Sequence, residues 1–127
     1  MSAMVLDAGA LVAVDRGDRA MAAKLRVAER GGLSLRSTGV VVAEVWRDAG
    51  ERQANLARLL KAIDVRAVDQ RLGREAGALL GRARMTDAAD ATVVAVAATG
   101  DRVLTSDPID IGRLVAASRR SIRVVPC

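Results

Sequence analysis

The stretch TDAADATVVAVAATGDRVLTSDPID, running from Thr86 to Asp110, decides the fold class. Thr86 or Asp87 can cap a helix. The apolar residues after them carry that helix over 87–98, and Gly100 stops it. A short apolar strand at 102–106 follows and ends on an acid, Asp107. Pro108 then suits the first position of a further helix, read over 109–118. A strand set between two helices with few connecting residues is the rhythm of a parallel sheet.

The same alternation extends in both directions. The run 3–6 is apolar, of strand length, and stops at Asp7. Helices are expected over 8–14 and 19–30, the second closed by Gly31 and Gly32. A brief strand at 33–35 leads into a helix over 40–48, for which Ser37 or Thr38 can serve as cap. Beyond it come a helix over 51–62, a strand at 63–68 and a helix over 69–84, and a last strand occupies 122–125. The order predicts one α/β domain spanning 1–127, a three-layer α/β/α sandwich with a mostly parallel central sheet.

Composition narrows the chemistry. The 127 residues carry net charge +5 and include no histidine. Ser-His-Asp and Cys-His nucleophile systems, imidazole acid–base catalysis and His-containing zinc sites are therefore excluded. Cys127, the sole cysteine, has no internal disulfide partner and fits a reducing cytoplasm. With Trp46 the one aromatic residue, the base-stacking platforms of single-strand-binding sheets are absent. The 51% hydrophobic fraction argues for a packed core built from Val, Leu, Ile and Ala. The N-terminus is apolar but lacks a basic start and is interrupted by Asp7, so neither a signal peptide nor a membrane span is expected. Of 20 basic residues only Lys24 and Lys61 are lysines. Arginine suits forked recognition of phosphate, although an arginine-rich exterior also follows from a GC-rich coding sequence.

Most of the 15 acids, Asp18, Asp69 and Asp101 among them, fit caps or solvated faces. Four stand where a carboxylate is costly. Asp7 and Asp107 each end an apolar strand, where parallel folds form their ligand crevice; each also fits a helix cap. Glu44 shares a helical face with Val40 and Val41, so it calls for either a buried arginine partner or a cation. Asp90 shares a face with Val93, Val94 and Ala97 and falls in the first turn, where the helix dipole should lower its pKa. Folding that gathers these acids at one sheet edge crowds like charges, and a divalent cation resolves the repulsion. Oxygen-only ligands select a hard ion, Mg²⁺ or Mn²⁺, and such a site commonly binds a substrate phosphate. In a basic protein, that phosphate suggests nucleic acid.

The chain resembles the PIN-domain ribonucleases, in particular the VapC-type toxins of prokaryotic toxin–antitoxin pairs. The resemblance spans essentially the whole chain. Its carriers are Val5-Leu6-Asp7-Ala8-Gly9-Ala10-Leu11, Ala43-Glu44-Val45, Asp87-Ala88-Ala89-Asp90-Ala91 and Leu104-Thr105-Ser106-Asp107-Pro108. It implies that Asp7, Glu44, Asp90 and Asp107 form a catalytic acidic quartet holding one or two Mg²⁺ or Mn²⁺ ions. It implies hydrolysis of RNA phosphodiester bonds, with the metals orienting water and offsetting charge on the phosphate. It also implies a homodimer in the cytoplasm, silenced by a cognate antitoxin that places a C-terminal segment in the acidic groove. Many members carry Ser or Thr two residues after the first Asp, whereas this chain has Gly9. That polar contact is either lost or supplied by Thr105 or Ser106. Asp87 is the competitor of Asp90 for the third ligand, and Asp110 fits a cap network or a supporting position.

Two other classes compete with the nuclease. A receiver-type phosphoacceptor domain also gathers acids around Mg²⁺, but it needs a lysine near the last strands, and Lys24 and Lys61 are placed elsewhere. A catalytically silent PIN-like module would bind a partner or RNA without cutting it. Nucleotide-phosphate loops ending in Gly-Lys-Ser/Thr and Gly-x-Ser-x-Gly nucleophile elbows are both absent.

Overall fold

Four consecutive buried residues, Ala3–Leu6, form β1. An unbroken apolar run of this kind suits a parallel strand covered on both faces. In the computed structural model, which describes residues 2–127, the further strands are β2 (Ser34–Thr38), β3 (Asp64–Arg66), β4 (Arg102–Thr105) and β5 (Arg123–Pro126). They assemble in the order β3-β2-β1-β4-β5, and every pairing is parallel. The helices are α1 (Ala8–Asp15), α2 (Arg19–Arg30), α3 (Gly39–Val45), α4 (Ala54–Ala62), α5 (Gln70–Ala83), α6 (Ala88–Ala95) and α7 (Pro108–Ser118). Among the described residues no helix is long and apolar enough to cross a membrane.

The strand order explains the layers. From β1 the chain steps to β2 and β3 on one side, then returns to β4 and β5 on the other. Right-handed crossovers put the connections of these two halves on opposite faces of the sheet. Accordingly α1 packs on α2, α3 and α4, while α5, α6 and α7 pack on one another. The result is the expected α/β/α sandwich. Its order reverses between β1 and β4, the switch point at which parallel sheets open a crevice beyond their carboxyl ends. Leu6 lies opposite Leu104, so Asp7 and Asp107 leave the sheet at one edge.

The core contains no aromatic ring. Leu6, Leu11, Leu56, Val93, Leu104, Ile111 and Leu114 are sealed from solvent, and Trp46 packs against them from a partly buried position. The Thr38 and Thr92 hydroxyls, both buried, hydrogen-bond at 2.9 Å and join the cap of α3 to α6.

Several boundaries differ from the sequence reading, each for a local reason. The strand expected at 33–35 extends to Thr38; its polar end is buried because the Ser37 hydroxyl donates to the Leu6 carbonyl at 2.8 Å. The helix expected over 40–48 stops at Val45. There the buried Gln53 donates to the Val45 carbonyl and accepts from the Arg47 and Ala49 amides, replacing helical bonds with its own. The helix expected over 51–62 starts as a 3-10 turn, Gly50–Gln53. The apolar helix ends at Ala95 rather than Ala98, because Arg120 donates to the Val94, Ala95 and Ala97 carbonyls and Arg36 to that of Val96. The strand at 63–68 is reduced to three exposed residues.

Asp101 departs most from expectation. Read as a cap or a solvated acid, it is 5% exposed and accepts hydrogen bonds from the Ala3 and Ala98 amides, each at 2.8 Å. It pins the start of β1 to the start of β4, at the end of the sheet away from the crevice.

Candidate metal centre

The crevice is built outward from Asp7. This residue follows β1 directly and caps α1, its Oδ1 accepting from the Ala10 amide at 2.8 Å. Its Oδ2 accepts from the Thr105 hydroxyl and, at 3.3 Å, from the Ser106 amide. The cap reading of Asp7 is thus met, and a carboxylate has lone pairs for about four contacts. Asp7 is 2% exposed, and this set of donors compensates its burial.

Thr105 carries the arrangement across to the neighbouring strand. Its hydroxyl oxygen accepts from the Asp107 amide at 2.8 Å while its proton goes to Asp7. Asp107 occupies the position before α7, yet its side chain makes no capping hydrogen bond. The exposed Asp107 carboxylate is left facing its neighbours.

Those neighbours are Asp90 and Asp110. Carboxylate oxygens of Asp90, Asp107 and Asp110 lie within 4.8 Å of one another. Asp90 reaches this place from the first turn of α6, while Asp87 takes the cap and accepts from the Asp90 amide at 3.0 Å. Asp110 comes from the first turn of α7, three residues beyond Asp107. Of the four acids singled out in the sequence, the structure gathers Asp90 and Asp107 into this trio, with Asp7 close enough to act on Asp90 electrostatically. Asp110 is more central than the sequence suggested. The signal was its helical spacing from Asp107, which places both on one side of a helical turn.

Asp90 also corrects an expectation. The helix dipole should lower its pKa, but the pKa is raised to about 7. Burial is the largest cause, followed by the charges of Asp87, Asp7, Asp107 and Asp110. Desolvation and four like charges outweigh a partial positive charge at the helix end. In a protein of net charge +5, the local field here is acidic.

Glu44 lies apart. It is exposed near the end of α3, so the burial cost argued from its apolar face does not arise. It stands outside the trio, and its charge is not among those acting on Asp90. Its helix does pack on α1 and α6, the helices that Asp7 and Asp87 cap.

The donor set fits a hard divalent cation. Among the described residues the trio consists of oxygen ligands alone, the repulsion within it would be neutralised by positive charge, and neither Asp107 nor Asp110 spends its carboxylate on a helix cap. Mg²⁺ needs few protein ligands because it retains waters, and Mn²⁺ accepts the same oxygen set.

No protein-family model and no curated protein matches the sequence. The fold does match solved structures. One is a chain of the crystal structure of VapBC2 from Rickettsia felis bound to a DNA fragment from their promoter. That chain superposes with a TM-score of 0.72 over 98% of both chains, at 12% sequence identity. The architecture is shared from end to end, with little of the sequence.

Proposed function

We propose that this chain is a Mg²⁺- or Mn²⁺-dependent endoribonuclease of the PIN class, acting as the toxin of a type II toxin–antitoxin pair. The observation that carries the reading is the Asp90–Asp107–Asp110 trio set beside Asp7 at the β1/β4 switch point. Asp7, Asp90 and Asp107 hold the cation, Asp110 assists, and Glu44 is assigned to the site on the resemblance of its motif. A divalent ion bound there activates water and offsets the charge that builds on a phosphodiester undergoing hydrolysis.

The protein's own groups have distinct parts. Asp7 is fixed in place by Ala10, Thr105 and Ser106 and presents a preorganised carboxylate. Asp90 would give up its proton more readily beside a cation, since positive charge opposes the neighbouring carboxylates that, together with burial, raise its pKa. The arginine-rich exterior attracts the RNA backbone toward an acidic crevice that only a cation makes hospitable to phosphate.

The proposed partners are an RNA substrate, a cognate antitoxin and a second copy of the chain, and the proposed compartment is the cytoplasm. The fold shared with a chain of the VapBC2 complex supports the antitoxin assignment. Incubating the purified protein with RNA in Mg²⁺, in Mn²⁺ and in EDTA tests the reading. Cleavage that needs either cation is expected; undiminished cleavage in EDTA would sink it. Cation binding without cleavage would instead identify a silent binding module.

A further inference from the structure

The Ser106 hydroxyl fills the space that a side chain at position 9 would take. A Cβ built on Gly9 would lie 1.8 Å from Ser106 Oγ, 2.5 Å from Ser106 Cβ and 3.5 Å from Asp7 Oδ1. The first two distances are far inside contact. Gly9 sits in α1 without a left-handed backbone, so the restriction to glycine comes from Ser106 and not from φ. A glycine inside a helix costs about 1 kcal/mol against alanine. Here it makes room for a hydroxyl beside Asp7.

Two features distinguish this hydroxyl from its neighbour. Thr105 is fully engaged, donating to Asp7 and accepting from the Asp107 amide. Ser106 is held against Asp7 through its backbone amide, yet among the described residues its exposed hydroxyl makes no hydrogen bond within the protein. It stands next to Asp107 in the chain, and with Gly9, Lys24 and Cys127 it lines a hollow of about 240 Å³.

We propose that Ser106 is a positioning residue for the divalent cation, resting on the metal site described above. Its oxygen accepts a hydrogen bond from the water shell that the cation retains. Chemistry favours a hydroxyl at this point. Carboxylate oxygens of Asp90, Asp107 and Asp110 already crowd within 4.8 Å of one another, and a further acid would add repulsion. A neutral oxygen adds an acceptor and no charge.

Titration calorimetry with Mn²⁺ tests this on the intact protein. Ser106→Ala should weaken Mn²⁺ binding by roughly three- to tenfold, the worth of one hydrogen bond, while metal-free unfolding stays as in the wild type. Gly9→Ser alone should be destabilised by the clash. Gly9→Ser combined with Ser106→Gly restores one hydroxyl to the shared space, and its Mn²⁺ affinity should return to near the wild-type value. Unchanged affinity in Ser106→Ala, beside normal wild-type binding, overturns the proposal. A folded double variant as weak as Ser106→Ala overturns it as well. Failure of the wild-type protein to bind Mn²⁺ overturns the metal site itself.

Discussion

The Thr105 hydroxyl donates to the buried carboxylate of Asp7, linking the ends of the two central strands across the switch point. Because the same oxygen accepts from the Asp107 amide, one side chain fixes the spacing of two acids that the chain brings from opposite ends. The crevice therefore depends on a threonine as much as on its carboxylates.

Replacing Thr105 with valine keeps the shape and removes the hydroxyl. A hydrogen bond to a charged, buried group is lost, so stability should fall by about 1.5–3 kcal/mol in urea unfolding. The variant should also bind Mn²⁺ more weakly than the wild type in calorimetry, because Asp7 and Asp107 lose their common anchor.

Asp90→Asn separates stability from function. The ionised carboxylate is destabilising in the metal-free fold, so at pH 8 the amide should stabilise that fold. The gain should be on the order of 1 kcal/mol after allowance for the partly exposed position. The same substitution should remove the thermal stabilisation that Mg²⁺ confers on the wild type. Differential scanning calorimetry with and without Mg²⁺ reads both effects.

The pH dependence has a definite sign. Asp90 titrates near 7 in the folded chain and near 3.8 when unfolded, so between these values the folded state binds the extra proton. Its contribution favours the fold below the unfolded pKa and is lost as pH rises through about 7. Metal-free stability attributable to Asp90 should thus decline from pH 4 to pH 8, seen as a difference between wild type and Asp90→Asn. Cation affinity should run the other way and rise through pH 7, with proton release on binding.

Much of this was legible in the sequence because the signals were local. The apolar run before Asp7, the cap-and-glycine frame around α6 and the proline after Asp107 fixed strand and helix identities. They also gave the edge at which the acids emerge. What escaped were side chains whose roles depend on distant partners. Asp101 reads as a surface acid until folding places the Ala3 amide against it. Gln53 looks like an exposed helical residue, yet it ends α3 from eight residues away. Asp90's pKa could not be judged from its own helix, since Asp7, Asp107 and Asp110 arrive from other elements. Glu44 shows the converse failure, a local apolar pattern whose polar member faces solvent.

The buried role of Asp101 is itself testable. Asp101→Ala leaves the Ala3 and Ala98 amides without their acceptors and should cost about 2–4 kcal/mol in chemical unfolding. Hydrogen exchange should accelerate at Ala3 and Ala98 first. A surface acid would show neither effect.

The most direct test is RNA cleavage in Mn²⁺ by the wild-type protein and Asp90→Asn side by side, with circular dichroism verifying that both are folded. The wild type should cut RNA and lose that activity in EDTA, and the folded Asp90→Asn protein should be reduced by at least about a hundredfold. Equal cleavage by the two proteins would contradict a catalytic cation held at Asp90, Asp107 and Asp7.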